Sequence, residues 1–273
     1  VLKKTVDLTK TDDDSNTLFS ERYQQTYHSS FGAVAEAMHV FLQGAAVQQR
    51  LQATQPTRVL EIGFGLGLNC LLSADCANTN KTALHYTSIE HLPVDAKKLQ
   101  QLDYGCWLEA PELADVLIQS LADSLEAEAL DAEALNAKAR TAEPGDADGP
   151  AKHQTISKSN QLPTLISSKL GAYTRVDLHI DDASTTTLFE KLKGEQRYDA
   201  IYLDAFSPDV NPECWTEAFF HKLSPLLATQ GRLATYCVKG SVRRALGAAG
   251  FTVTKYPGPT GKREVLFATL TNA

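Results

Sequence analysis

The sequence lacks the marks of several large protein classes. Its five cysteines (Cys70, Cys76, Cys106, Cys214 and Cys237) are an odd number with no CxxC pair, which excludes a disulfide framework and a zinc ribbon. Its seven histidines form no HExxH or HxH pair, so no metal is expected. No uninterrupted apolar stretch approaches about 20 residues, which excludes a membrane-spanning helix. The N-terminal VLKKTVDLTKTDDDSN has no apolar core of a secretory signal, and a cytoplasmic chain is expected. The chain begins at Val1 rather than Met, which leaves its natural start open. No internal repeat is present.

What remains is a chain of 273 residues, 43% hydrophobic and 22% charged, as in ordinary soluble globular proteins. The net charge of −7 speaks against a nucleic-acid partner, but its distribution points the other way. Eleven acids face two bases between Glu109 and Gly149, so the rest of the chain carries a small positive surplus. Between Arg232 and Arg263 lie seven bases (Arg232, Lys239, Arg243, Arg244, Lys255, Lys262, Arg263) and no acid. A polyanion responds to the field within about 8–10 Å, not to the chain total. A solvated basic face is the plainer alternative.

Local patterning predicts alternating strands and helices. TRVLEIG, from Thr57, reads as a strand, FGLGLN as a tight turn, and Leu68, Leu71 and Leu72 open a helix. A second strand ends at Glu90, with a helix from Pro93 to about Leu102. A third, RVDLHI, ends at Asp181-Asp182, before a helix over about 184–193. A fourth, YDAIYLD, ends at Asp204, before a helix over about 213–228. The fifth is RLATYCV, followed by the helix SVRRALGAAG, and FTVTKY and EVLFATL form a final antiparallel pair. This order implies a doubly wound α/β fold with a parallel sheet, its ligand beyond the carboxyl ends of the strands. Residues 1–52 are expected to form an N-terminal extension, a hairpin and then a helix presenting Ala37, Val40, Phe41 and Gly44 on one side. Residues 53–273 form the main domain, interrupted over about 122–160 by an acidic helix and a flexible loop.

The chemistry concentrates at the strand ends. In Glu61-Ile62-Gly63-Phe64-Gly65-Leu66-Gly67, the third glycine of a dinucleotide fingerprint is missing, because position 68 is Leu. An acid two residues before a GxGxG turn suits S-adenosylmethionine instead, whose methionine and ribose portions need close backbone approach. Any α/β protein can carry such a turn. Glu90 is placed to accept from two ribose hydroxyls. Asp181 and Asp182 compete to accept from the adenine amino group, and pattern does not separate them. Asp204-Ala205-Phe206-Ser207-Pro208 resembles the Asp/Asn-Pro-Pro-aromatic loop of amine-directed methyltransferases. There Asp204 would orient an amine lone pair, and Phe206 would offer its ring to the target. Trp215 reads as core, and Cys214 has no paired His.

Together, FGLGLN, SIEHLP, YLDAFSPDVNPECWTEAFF, GRLATYCVKGSVRRALGAAGF and GKRE resemble one family in order and spacing, and TLFSERY and VFLQGAAVQQRL fit the same pattern. It is the methyltransferase half of the bifunctional tRNA 5-methylaminomethyl-2-thiouridine biosynthesis proteins (MnmC type). The resemblance covers roughly residues 17–120 and 170–270. It implies a Rossmann-like class I fold and methyl transfer from S-adenosylmethionine to 5-aminomethyl(-2-thio)uridine at the wobble position of tRNA. It implies cofactor contacts from Glu61, Gly63, Phe64, Gly65, Gly67, Asn69, Glu90, Asp182 and Asp204, with Asp181 as the alternative to Asp182. It places Asp204 at the reacting amine, and Lys239, Arg243, Arg244, Lys262 and Arg263 on tRNA. Ala205 stands where the family usually has Gly, and the acidic insertion matches nothing in its pattern. The fused flavin-dependent oxidase half lies outside this sequence, so an FAD-dependent oxidase encoded separately is an expected partner. Two rival readings stay open: an enzyme of this fold acting on small amines or polyamines, and a non-catalytic RNA-binding protein.

Overall fold

A computed structural model describes residues 8–141, 164–193 and 197–271. The N-terminal part opens with a three-stranded antiparallel sheet, β1 (Leu8–Lys10), β2 (Asn16–Ser20) and β3 (Gln25–Thr26). Helix α1 (Ala33–Glu36) continues in π-helical turns over Ala37–Gln43, and α2 (Val47–Gln52) follows. The single expected helix is therefore divided, with Ala46 in the left-handed region at φ 62° between the pieces. Ala37, Val40 and Phe41 are buried as the spacing requires.

The main domain runs β4 (Thr57–Ile62), α3 (Leu68–Thr79), β5 (Leu84–Glu90), α4 (Ala96–Gln100), α5 (Glu112–Thr141), β6 (Thr164–Leu170) and β7 (Thr174–Ile180). It continues with α6 (Leu188–Leu192), β8 (Tyr198–Leu203), α7 (Glu217–Leu223), β9 (Leu227–Thr235), α8 (Gly240–Ala248), β10 (Phe251–Pro257) and β11 (Glu264–Leu270). The eight strands order as β10-β11-β9-β8-β4-β5-β7-β6. The five central strands are parallel; β11 runs antiparallel to β9 and β10, and β6 antiparallel to β7. Both faces are covered, which is why central runs such as Val59, Leu60 and Ile62 are apolar without alternation. One apolar cluster gathers around Phe41, Tyr86 and Tyr202, the other around Ile62, Leu203 and Phe220. The connections leave β4 in opposite directions toward β5 and β8, and a crevice opens at such a switch point.

Several expected boundaries move, each for a local reason. Helix α4 starts at Ala96, not Pro93, because the Asp95 carboxylate accepts from the Lys97 amide at 2.8 Å and caps it. The helix expected over 213–228 is broken: a 3₁₀ turn spans Pro212–Trp215, and extended Thr216 then caps α7 through its hydroxyl. Helix α6 contracts to Leu188–Leu192, and β9 begins at Leu227 and stops at Thr235. Strand β6 has no counterpart among the expected strands. It lies just beyond the acidic stretch, at the sheet's edge. That stretch does begin as helix, but α5 starts at Glu112, well before the expected boundary at 122. The loop expected to follow, to about residue 160, lies outside the described residues.

Candidate active site

A cleft of about 900 Å³ opens at the carboxyl ends of β4, β5, β7 and β8. Its floor is the turn after β4. Gly63 sits at φ +91°, and its N–H donates to the Ile89 carbonyl at 3.0 Å. A Cβ there would stand 2.8 Å from the Asp204 carbonyl oxygen, so only glycine lets the ends of β4 and β8 approach this closely. The Gly65 amide donates to Glu90 Oε2 at 2.9 Å, and the Leu92 amide donates to Oε1 at 2.8 Å. Burial raises the proton affinity of Glu90, and these two amides pull it back. Each oxygen retains acceptor capacity in the cleft.

The structure separates the two aspartates after β7. Asp182 lines the cleft, with Oδ1 accepting from the Ser184 amide and hydroxyl at 2.9 and 2.7 Å. Those bonds hold its pKa below the ordinary value despite partial burial. Asp181 does not line the cleft; it accepts from the Thr186 hydroxyl and the Asp182 amide. Glu61 and Gly67 also depart from the cofactor-contact expectation. Glu61 is fully buried behind the cleft, and Gly67 packs beneath Phe64 and Leu117. Gly63, Phe64, Gly65, Asn69, Glu90 and Asp204 all line it.

Glu61 nonetheless acts on the site through Asn69. The Asn69 amide donates to Glu61 Oε1 at 3.0 Å and to Asp204 Oδ2 at 2.8 Å, bridging two carboxylates. Ser88 donates to the other Glu61 oxygen at 2.9 Å. Burial pushes Glu61 up to about 8. Asp204 is likewise raised well above the carboxylate range, by burial first and then by repulsion from Glu61 and Glu36; Asn69 and Lys262 oppose the rise. Asp204 is therefore a stronger base than a solvated aspartate.

The loop after Asp204 is pinned along its length. Tyr236 donates to the Ala205 carbonyl and Trp215 Nε1 to the Phe206 carbonyl, both at 2.8 Å. Trp215 is buried, as expected, and this bond fixes the loop from beneath. Gln25 Nε2 donates to the Ser207 hydroxyl at 2.8 Å. The Phe206 ring stacks on Tyr23 at 4.2 Å and 22°, and meets Tyr27 edge-on at 5.1 Å. Tyr23, Tyr27, His28 and Glu36 thus form an outer wall that sequence reasoning missed. TLFSERY carries a family resemblance, but no local spacing marks these four as site residues. His28 is half-buried, and loss of solvation depresses its pKa to about 4 and keeps it neutral.

The basic stretch is less uniform than its sequence. Arg232 donates to the Gly44 carbonyl at 2.7 Å and lies over the Phe267 ring, a structural task. Lys239 pairs with Asp209, and Lys255 with Glu264, both at 2.5 Å. Arg243, Arg244 and Arg263 are exposed, and none has an ion pair among the described residues. Lys262 turns into the cleft, where it pairs with Glu36 and its Nζ lies 4.4 Å from the centre of the Tyr236 ring.

Residues 152–271, which carry β6 through β11 and the Asp204 loop, match the S-adenosyl-L-methionine-dependent methyltransferase family. Over those residues the chain is similar to S-adenosylmethionine-dependent methyltransferases. The chain is 32% identical over 259 residues to the tRNA 5-methylaminomethyl-2-thiouridine biosynthesis bifunctional protein MnmC of Cupriavidus metallidurans, covering 93% of this chain and 33% of that one. It is 33% identical over 256 residues to the protein of the same name in Aromatoleum aromaticum, covering 92% and 34%. It thus spans about a third of the length of these relatives. Its fold is that of MNMC2 from Aquifex aeolicus, with a TM-score of 0.66 at 20% identity over 100% of this chain and 72% of that one. Among the described residues, no helix is long and apolar enough to cross a membrane.

Proposed function

We propose that this protein methylates the primary amine of 5-aminomethyl(-2-thio)uridine at the wobble position of tRNA. The cleft fits the cofactor by its own geometry. At Gly63 and Gly65 there is no side chain to obstruct it, and a carboxylate with spare acceptor sites, Glu90, stands beside the turn. Glu90 would hold the ribose hydroxyls, Asp182 the adenine amino group, and Phe64 and Asn69 the remaining flank. S-adenosylmethionine, when bound, supplies an electrophilic methyl group on a sulfonium.

The observation that carries the reading is Asp204, a half-buried carboxylate of raised basicity at the end of β8, lining the same cleft as the aromatic wall. A primary amine is protonated in water and must lose a proton before it can act as a nucleophile. An Asp204 oxygen takes that proton or accepts an N–H, which leaves the nitrogen lone pair free and holds its direction. Where it accepts the N–H it stays ionised and steadies the positive charge that returns to nitrogen on methylation. Phe206 and Tyr23 supply flat faces against which an extruded base can lie. Exposed Arg243, Arg244 and Arg263 would meet the phosphates, with Lys239 beside them. The amine must already be in place on the tRNA, which gives a flavin-dependent oxidase a part in the proposal.

Incubating the protein with S-adenosylmethionine and an anticodon stem-loop RNA bearing 5-aminomethyluridine tests the reading. Nucleoside mass spectrometry is expected to find one added methyl on the amine. Methylation of free diamines with no product on RNA would refute the assignment and favour a small-amine enzyme.

A further inference from the structure

Lys262 was expected on an RNA-binding surface beside Arg263, yet Lys262 lines the cleft and only Arg263 is exposed. The cause is the turn that presents them. Gly261 sits at φ +82°, packed so closely on Phe31 that a Cβ would lie 2.0 Å from its Cγ. The Lys262 amide donates to the Pro259 carbonyl at 2.9 Å, and the Gly258 amide to the Arg263 carbonyl at 3.1 Å. His39 Nε2 meets the Pro257 carbonyl at 2.8 Å, which ties the turn to the N-terminal part. Held so, Lys262 enters the cleft while Arg263 remains in solvent.

Inside the cleft, the ammonium is fixed on two sides. Glu36 accepts from it, and Glu36 is held in turn by the Ser29 amide at 3.0 Å. The Tyr236 face covers another side, and Tyr236 is itself anchored on the Ala205 carbonyl. An ammonium has three donors, and one carboxylate bond and one ring face leave donor capacity within the cleft. Lys262 also stands close enough to Asp204 to favour its ionised form. The cleft therefore has a carboxylate suited to an amine, with an oriented cation donor beside it.

Resting on the function proposed above, we infer that Lys262 donates a hydrogen bond to the C4 oxygen of the target base and so selects uracil over cytosine. The aminomethyl group and that oxygen sit on neighbouring ring carbons, so the groups reading them must also be neighbours. Uracil presents an acceptor at C4 where cytosine presents an amino donor, which an ammonium cannot bond. Lys262 is then a specificity-determining residue within the site, and it leaves the phosphates to Arg243, Arg244 and Arg263.

The test compares two anticodon stem-loop RNAs, one carrying 5-aminomethyluridine and the other 5-aminomethylcytidine. Wild-type protein is expected to prefer the uridine form in kcat/KM. Lys262→Met is expected to lower kcat/KM on the uridine form by about 10- to 100-fold, the worth of a charged hydrogen bond, and to erase the preference. Its affinity for S-adenosylmethionine, which reports an intact fold, and the salt dependence of its RNA binding should not change. Lys262→Arg should recover part of the preference. A Lys262→Met protein that keeps the preference would overturn the inference. So would an equal loss on both RNAs with a flattened salt dependence, since that marks a phosphate contact. Wild-type protein that methylates neither RNA would overturn the underlying function instead.

Discussion

The inner wall of the cleft is fixed by backbone ladders, and the outer wall by side chains from distant parts of the chain. Gly63, Glu90, Asp182 and Asp204 each lie just beyond or at the end of a parallel strand, so hydrogen bonding between neighbouring strands sets their positions. Tyr23, Gln25 and Glu36 reach the site only through partners some two hundred residues away: Phe206, Ser207 and Lys262. The inner wall offers acceptors at fixed spacing, as a constant cofactor requires. The outer wall offers rings and an ion pair, which is where recognition of a particular target belongs. One sheet edge can thus hold the common chemistry while a segment outside the sheet supplies selectivity.

Replacing the amine-facing group of the inner wall should have the largest effect. Asp204→Asn is expected to lower the single-turnover methylation rate by about 10²–10⁴, the range for a general base, while calorimetry shows cofactor binding retained. Wild-type rates would remove Asp204 from the chemistry. Next is the floor. Gly63→Ala forces a side chain into a left-handed position against the Asp204 carbonyl, and denaturation should show a loss of about 1–3 kcal/mol. The outer wall should respond more mildly. Tyr23→Ala loses a ring stack worth about 0.5–1.5 kcal/mol, so KM for RNA should rise a few-fold with kcat little changed. A collapse in kcat would mean that the two walls are not separable. Outside both walls, Arg243→Glu with Arg244→Glu should reduce the slope of RNA affinity against salt by roughly one per arginine. An unchanged slope would place the RNA elsewhere.

A separate effect, on stability rather than on activity, is a tilt with pH. Glu61 is raised from 4.5 to about 8 in the folded protein, so between those values the folded state keeps a proton that the unfolded chain has released. Its contribution is fully present below 4.5 and is lost as pH rises toward 8 and beyond. His28 works in the opposite sense: its folded value near 4 gives a contribution that is present above 6.5 and lost as pH falls. Urea denaturation should show Glu61→Gln flattening the alkaline side and leaving the acid side unchanged. A wild-type alkaline side that is already flat would contradict the burial of Glu61.

The difference between the walls also explains what was legible in the sequence. Apolar strands ending in Gly63, Glu90 and Asp204 are local patterns, and periodicity alone places their ends on one sheet edge. The choice between Asp181 and Asp182 was not legible, because it depends on which carboxylate meets Thr186 and which meets Ser184. Strand β6 was hidden because an edge strand beside a charged stretch has only its partner β7 to define it. The outer wall left no local signature, since Tyr23 and Glu36 gain meaning only from residues folded against them. The separation of Lys262 from Arg263 was not legible, because LysArg reads as a basic pair. The left-handed turn at Gly261, which parts the two, exists only in three dimensions.

The central claim is that the glycine turn and Glu90 hold the cofactor while Asp204 serves the acceptor. Calorimetric titration of S-adenosylmethionine into Glu90→Ala tests it most directly. Loss of a charged hydrogen-bond acceptor at the ribose should weaken binding at least about tenfold relative to wild type. Undiminished affinity in a folded Glu90→Ala protein would contradict that claim.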